Sequence, residues 1–191
     1  MKRKIAIFAS GTGSNALNLI TYFSEHPLAE VVLLVSNNSN AGALQHAARL
    51  NVPSAVFDKA AFNRPEIILS CLQQHGIDLI VLAGFLLHIP TFLVEAFPQS
   101  IINLHPALLP KFGGKGMYGM HVHRAVKEAG ETLTGITIHY INEHYDEGMI
   151  IAQYNCPVEA DDTPETIAQK VHRLEYRYYP LVIEQLLSAA E

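Results

Sequence analysis

The chain is poor in cysteine, in charged residues and in long apolar runs. It contains only two cysteines, Cys71 and Cys156, and 16% charged residues with a net charge of −5. Because the two cysteines have no metal-type spacing, we expect buried free thiols in a reducing cytoplasm. The absence of a basic excess argues against nucleic acid as a partner. The longest apolar run, residues 77–87, is well short of the roughly 18 residues of a membrane-spanning helix, so we expect no membrane partner.

What the chain does have is a regular alternation of apolar runs and helix-like segments. Buried strands are predicted at residues 4–9, 30–35, 54–57 and 79–82, separated by helices at 14–26, 41–50 and 64–75. Uninterrupted apolar strands between helices indicate a mostly parallel sheet with helices on both faces. A length of 191 residues favours a single domain.

The second half of the chain predicts a different edge for this sheet. A short helix at 90–97, a strand at 101–104 and a helix at 121–129 precede two strands at 133–141 and 150–158. The close spacing of these last two strands favours antiparallel pairing. A long helix follows at 163–188, with a kink expected near Pro180. The predicted fold class is therefore α/β, a Rossmann-like, mostly parallel twisted sheet with a mixed far edge.

A glycine turn, Ser10-Gly11-Thr12-Gly13-Ser14-Asn15-Ala16, joins the first strand to the first helix. A dinucleotide site would need an acidic residue about 20 residues further on, but the second strand ends in Val35-Ser36-Asn37-Asn38. A single phosphate needs only backbone N–H groups at a helix start and donors such as Ser14 and Asn15. We therefore favour a monophosphate site at Gly13, Ser14 and Asn15 and expect no NAD. A turn that binds nothing is the alternative.

The segment Asn103-Leu104-His105-Pro106 ends an apolar run with two polar side chains two residues apart. Residues two apart in a strand share a face, so Asn103 and His105 should project side by side. An amide donor and a titratable ring together can stabilise an oxyanion and move a proton at neutral pH, as acyl transfer requires. A strand-end turn with a structural histidine is the alternative.

Four motifs together carry a resemblance to a known family. They are Gly13-Ser14-Asn15, Ala83-Gly84-Phe85, Asn103-Leu104-His105-Pro106-Ala107-Leu108-Leu109-Pro110, and Gly135-Ile136-Thr137-Ile138-His139 followed by Asp146-Glu147-Gly148. Over essentially its whole length the chain resembles the phosphoribosylglycinamide formyltransferases, within the wider family that uses 10-formyltetrahydrofolate. Methionyl-tRNA formyltransferases carry a further C-terminal domain and formyltetrahydrofolate hydrolases an N-terminal one, and we expect neither here.

This resemblance implies transfer of a formyl group from N10 of the folate to the amine of phosphoribosylglycinamide in de novo purine biosynthesis. Asn103 would donate a hydrogen bond to the oxyanion, and His105 would stabilise it and donate a proton. Asp146 would favour the imidazolium form of His105 and position a water that relays protons, with a plain turn residue as its alternative. His139 would have a supporting role, holding Asp146 or its loop, with a structural histidine as the alternative.

The resemblance also implies a surface for each substrate. The ribonucleotide would use the glycine turn with Glu175 and His172, although family members commonly carry glutamine in place of His172. The expected folate contacts are Arg64, Leu86, Leu87, His88, Ile89, Asn103, Asn142, Glu143, His144, Tyr145 and Asp146. Leu87 stands where many members have arginine, so a polar contact is absent there or is replaced by His88. For Arg64 and Glu175, exposed helix charges are the alternative.

Residues 1–100 are expected to form a mononucleotide-binding half and residues 101–191 a folate-binding and catalytic half. His121-Val122-His123 suggests a metal site only superficially, because no carboxylate or cysteine cluster accompanies it, so we expect helix-start or loop histidines and no metal. The glycine-rich segment 111–120 would close over the substrates, with a lysine near phosphate or folate carboxylates.

A monomer or homodimer with small-molecule substrates is expected. The alternative functions are a folate-dependent formyl hydrolase, a formyltransferase acting on another amino-sugar or nucleotide, and a nucleotide-binding module without chemistry.

Overall fold

The computed structural model describes residues 2–189, and the seven strands within them form one sheet. The strands are β1 Arg3–Phe8, β2 Ala29–Ser36, β3 Ser54–Val56, β4 Leu79–Leu82, β5 Ile101–His105, β6 Leu133–Tyr140 and β7 Ile150–Pro157. Their order across the sheet is β3-β2-β1-β4-β5-β6-β7. Strands β1 to β5 pair in parallel, whereas β6 runs antiparallel to β5 and β7 antiparallel to β6. The predicted parallel sheet with a mixed far edge is confirmed.

The helices follow the predicted pattern with two differences. They are α1 Ser14–Phe23, α2 Gly42–Arg49, α3 Lys59–Phe62, α4 Pro65–His75, α5 Thr91–Ala96, α6 Met120–Glu128 and α7 Pro164–Ala189. Helix α1 ends before the predicted residue 26, because Pro27 disfavours a helical conformation at His26. Helix α3 was not predicted; Asp58 caps it by accepting from the backbone N–H of Ala61 at 2.7 Å. Helix α7 continues through Pro180, and the kink expected there stays a prediction.

Each face of the sheet carries its own apolar core, because alternate strand residues point to opposite faces. On one face, Ile5 and Ile7 of β1 belong to a cluster with residues of α1, α2, α6 and α7. On the other face, Ala6 and Phe8 belong to a cluster with residues of α3, α4 and α5. The predicted cover of helices on both faces is confirmed. Within residues 2–189 no helix has the length and apolar character to cross a membrane.

The carboxyl ends of the parallel strands meet at one edge of the sheet, where the loops after β1, β4 and β5 lie. The strand order changes direction between β1 and β4, and such a switch point leaves a crevice in which α/β proteins bind ligands. Helix α7 is anchored at this edge, since the buried hydroxyl of Tyr179 donates to the carbonyl oxygen of Leu82 at 2.9 Å. The glycine turn and the segment with Asn103 and His105 therefore share one edge.

Candidate active site

The glycine turn leaves the amino end of α1 open to an anion. Gly13 is the N-cap residue, with φ of 78°. Among the described residues no side chain caps α1, and no acidic residue lies in its first turn. A Cβ on Gly13 would lie 2.4 Å from the Cα of Ala43, so glycine alone lets the turn approach α2. Uncapped N–H groups and the positive end of the helix dipole together suit a phosphate.

Glu175 of α7 reaches this turn. It is only 5% exposed, and its Oε2 accepts a hydrogen bond from Nδ2 of Asn15 at 2.8 Å. Nδ1 of His172, one helical turn earlier, lies 3.0 Å from the same oxygen. That hydrogen bond raises the pKa of His172 above its ordinary value. The alternative of a solvent-facing charge does not hold for Glu175, and three predicted substrate residues lie together.

Asn103 and His105 share a face at the end of β5, opposite polar residues of β6. His139 pairs with Asn103 and Thr137 with His105 across the two strands. Asp146, on the loop after β6, lies close to both histidines. Its Oδ2 lies 3.6 Å from Nδ1 of His105, and its Oδ1 lies 3.6 Å from Nε2 of His139. One amide, two buried imidazoles and one carboxylate therefore form a single cluster.

A backbone carbonyl determines which nitrogen of His105 carries the proton. Nε2 lies 2.8 Å from the carbonyl oxygen of Phe112, and a carbonyl oxygen can only accept, so Nε2 donates. The neutral ring then presents the lone pair of Nδ1 to Asp146. A proton gained by His105 would therefore enter at Nδ1, facing a carboxylate.

His139 orients the amide of Asn103 in the same way. Nδ1 of His139 lies 2.9 Å from the carbonyl oxygen of Tyr140 and must donate to it. In the neutral ring Nε2 is then an acceptor, and Nδ2 of Asn103 lies 3.1 Å from it. The predicted supporting role of His139 stays a prediction. In the neutral ring the geometry directs that support to Asn103, because a lone pair on Nε2 has no proton to offer the carboxylate of Asp146.

Burial and charge act in opposite directions in this cluster. Burial lowers the pKa of His105 below its ordinary value, and the charge of Asp146 and the carbonyl of Phe112 only partly oppose this. Burial raises the pKa of Asp146, but His139, His105 and the Gly114 amide outweigh it, so that pKa lies below its ordinary value. At neutral pH a neutral His105 therefore stands beside an ionised Asp146.

The glycine-rich loop covers the cluster with its backbone. The N–H of Gly114 donates to Oδ2 of Asp146 at 2.9 Å, and the carbonyl of Phe112 accepts from His105. Lys111 instead pairs with Glu131 at 2.7 Å on the surface. Closure of this loop over bound substrates stays a prediction. A lysine of the loop was expected near the phosphate or the folate carboxylates, but the ammonium of Lys111 is paired with Glu131.

The expected folate segment has backbone groups without partners. Among the described residues, the N–H and C=O groups of Leu87, His88 and Ile89 make no intramolecular hydrogen bond. The His88 ring meets that of Tyr145 on the opposite wall, with centroids 4.5 Å apart. Leu87, which stands where many family members have arginine, packs against an apolar core. The polar contact of that arginine is therefore not made at this position. Unpaired backbone groups beside apolar side chains are what recognition of a flat heterocycle requires.

Arg64 is not brought to the cluster. Its guanidinium pairs with Glu66 at 2.6 Å, and both side chains are 61% exposed. This geometry agrees with the alternative of an exposed arginine at a helix start. A folate contact by Arg64 stays a prediction.

His123 belongs to this region and was missed. It lies in the first turn of α6, which agrees with the expected helix-start position, but it is only 3% exposed. Its buried Nδ1 has no hydrogen-bond partner in the described chain. Burial lowers its pKa, and the charges of Glu175, His172 and His105 act on it. The signal that could have found it is helical spacing, since His123 lies three residues before buried Val126.

Known proteins match this chain over nearly its whole length. The family model described as formyl transferase matches residues 3–183. The chloroplastic phosphoribosylglycinamide formyltransferase of Arabidopsis thaliana is 43% identical, over 95% of this chain and 64% of that protein. The phosphoribosylglycinamide formyltransferase of Bacillus subtilis is 40% identical, over 97% of this chain and 95% of its own length. The chain therefore spans less than two thirds of the Arabidopsis relative and nearly all of the Bacillus one.

A solved structure shares the fold. The crystal structure of glycinamide ribonucleotide transformylase 1 from Geobacillus kaustophilus matches with a TM-score of 0.89 and 36% identity, over 98% of this chain and 100% of that one. The sheet order and its mixed edge are thus those of a formyltransferase fold.

Proposed function

The chain belongs to the formyl transferase family, and from this we propose that it transfers the formyl group of 10-formyltetrahydrofolate to the amine of 5-phosphoribosylglycinamide in de novo purine biosynthesis. The observation that carries the proposal is the cluster of Asn103, His105 and Asp146 at the same sheet edge as an uncapped helix start. The names of the compared proteins support this donor and acceptor. We also propose one domain, with a nucleotide half at 1–100 and a folate half at 101–191, working in a reducing cytoplasm.

The ribonucleotide would bind across the turn and α7. Its phosphate would accept from the free N–H groups at Gly13, Ser14 and Asn15. Asn15 and His172 both contact Oε2 of Glu175. Oε1 makes no hydrogen bond within residues 2–189 and would accept from the glycinamide portion of the substrate.

Glu175→Gln is expected to raise the KM for the ribonucleotide about tenfold or more, because a charged acceptor becomes a neutral amide. The KM for the folate should stay within about threefold, since the hydrogen-bond partners of Glu175 are Asn15 and His172 and not residues of the folate segment 86–89. Steady-state kinetics with each substrate varied in turn measures both. The exposed Glu66→Gln is the control, and a Glu175→Gln protein with an unchanged ribonucleotide KM would contradict the assignment.

In the proposed reaction, the amine nitrogen forms a bond to the formyl carbon and the carbonyl electron pair moves onto oxygen. Asn103, oriented by His139, donates to this oxyanion. The amine loses a proton, which passes through a water held by Asp146 to Nδ1 of His105. Nδ1 is the accepting nitrogen because Nε2 already donates to the carbonyl of Phe112. The imidazolium, stabilised by Asp146, then gives a proton to N10 as the bond from carbon to N10 breaks.

Tetrahydrofolate and the formylated ribonucleotide leave, and His105 is neutral again. This order keeps the expected proton donation by His105 and adds an earlier step in which the ring accepts a proton. The reason for the added step is burial, which lowers the pKa of His105 and so favours the neutral ring at rest.

Asp146→Asn is expected to lower kcat about a hundredfold and to move the acidic limb of the pH profile of kcat/KM to lower pH. The carboxylate raises the pKa of His105 against burial, so its removal lets that pKa fall further. Neutral His105 is the active starting form, and activity is lost as the pH falls through its pKa. The profile is measured between about pH 5 and 8; a limb that stays or moves to higher pH would argue against this pairing.

The function is tested by mixing the protein with 10-formyltetrahydrofolate and 5-phosphoribosylglycinamide, and by omitting each in turn. The expected products are tetrahydrofolate and the formylated ribonucleotide, formed only when both substrates are present. Release of formate without the ribonucleotide would indicate a folate-dependent hydrolase. Binding of the ribonucleotide without formation of either product would indicate a nucleotide-binding module without chemistry.

A further inference from the structure

Ser10 connects the two proposed substrate regions. It follows β1, is only 5% exposed, and begins the glycine turn that contains Gly13. Its backbone N–H donates to the carbonyl of Gly84 at 3.0 Å. Its Oγ accepts from the backbone N–H of Leu86 at 2.8 Å. Ser10 is thus bonded to Leu86, where the segment expected to contact the folate begins, and to Gly84 just before it.

Asn37 determines how the hydroxyl of Ser10 is oriented. A hydroxyl has a single proton, and Ser10 donates it to Oδ1 of Asn37, just after β2. A lone pair of Oγ therefore remains for the N–H of Leu86. Asn37 lies near the end of the second strand, where a dinucleotide site would need a carboxylate, and its amide serves this contact instead.

The bond from Leu86 sets where the folate segment begins. Along 86–89, the N–H of Leu86 is the one that the described chain satisfies, and those of Leu87, His88 and Ile89 are unpaired. The positions of the unpaired groups depend on the anchored one, because the segment lies outside any helix or strand.

We propose that Ser10 is a positioning residue that holds the folate-reading backbone of 86–89 in place from the glycine turn. The inference rests on the proposed use of this segment for folate, but it does not require the transfer step. It also explains why a buried polar side chain stands between a phosphate-type turn and an apolar slot.

Ser10→Ala is expected to weaken the binding of tetrahydrofolate about tenfold, because the N–H of Leu86 loses its partner and the segment shifts to reach water. In the assay, the KM for 10-formyltetrahydrofolate should rise by a similar factor. The rate at saturation and the KM for the ribonucleotide should change less than about threefold. Titration calorimetry with tetrahydrofolate and steady-state kinetics give these values.

Ser36→Ala is the matched control. The hydroxyl of this fully buried serine donates to the carbonyl of Asn38 at 3.1 Å and accepts from its N–H at 3.2 Å, and among the described residues it makes no hydrogen bond to 84–86. The variant loses a buried hydroxyl near the same sheet edge and should lose thermal stability, while its affinity for tetrahydrofolate stays unchanged. Asn37→Ala, which removes the orienting acceptor, should weaken tetrahydrofolate binding severalfold and serves if Ser10→Ala does not fold.

The inference is overturned if Ser10→Ala, or Asn37→Ala in its place, binds tetrahydrofolate as tightly as the unmodified protein. It is also overturned if Ser36→Ala weakens binding equally. Unmodified protein that binds tetrahydrofolate without forming the formylated ribonucleotide would contradict the proposed function alone. Normal transfer with an unaffected Ser10 variant would contradict the positioning role alone.

Discussion

Replacing His105 with alanine is expected to lower kcat about a thousandfold while the protein stays folded. The ring is proposed to take a proton from the attacking amine and return one to N10, and without it both transfers depend on water. The carbonyl of Phe112 also loses its donor, so a modest fall in melting temperature is expected. Single-turnover measurement with both substrates bound isolates the chemical step.

His75→Ala is the matched control for this variant. Nδ1 of His75 lies 2.8 Å from the carbonyl of Cys71, at the end of α4, so its removal also costs one bond between an imidazole and a backbone carbonyl. Its kcat should be near normal. Added imidazole is expected to restore part of the rate of His105→Ala and none of that of Asp146→Asn. A His105→Ala protein that keeps a tenth of the normal rate would refute the assigned role.

Gly13→Ala is expected to lower the free energy of unfolding by about 3 to 5 kcal/mol and to abolish ribonucleotide binding. Gly13 has φ of 78° and an added Cβ would lie 2.4 Å from the Cα and 2.5 Å from the Cβ of Ala43. Either α2 moves away or the turn opens, and both changes displace the N–H groups proposed to hold the phosphate. Urea unfolding and calorimetry with the ribonucleotide measure the two effects.

Gly11→Ala, two residues earlier in the same turn, is the control. It shows whether the loss of stability comes from strain and close approach at position 13 or from replacing any glycine of the turn. A Cβ at Gly11 would meet nothing within 4 Å in the described structure, and Gly11 lacks the positive φ of Gly13. Its free energy of unfolding should change by less than about 1 kcal/mol. An equal loss of stability in both variants would show that close approach to α2 is not the cause.

The strands could be predicted from the sequence because strands buried on both faces are continuous apolar runs. β4, Leu79–Leu82, is buried along its whole length and was located at its correct bounds. Helix α3 escaped prediction because Lys59–Phe62 is too short for a helical period to be recognised. Its one local signal was the capping residue Asp58.

The candidate site was predicted unevenly, for a physical reason that differs between residues. Asn103 and His105 are two apart in one strand, so the pleat alone places them on one face. Glu175 lies in a helix whose exposed and buried faces depend on what packs against it, and only the folded structure shows that its carboxylate is buried and bonded to Asn15. His123 escaped because the groups whose charges act on it lie on other elements, Glu175 and His172 on α7 and His105 on β5.

The sequence by itself determined the alternation of strands and helices, the mixed edge, the glycine turn and the amide and imidazole pair, because each is recognised from residues close together along the chain. Only the tertiary structure decided that Asp146 reaches His105 and that Ser10 holds Leu86, since these contacts require loops from distant strands to meet at one edge. It also decided the protonation of His105. Burial in the folded chain lowers the pKa of the imidazole, while the carbonyl of Phe112, which acts on that pKa in the other direction, holds the proton on Nε2 so that the lone pair of Nδ1 faces a carboxylate.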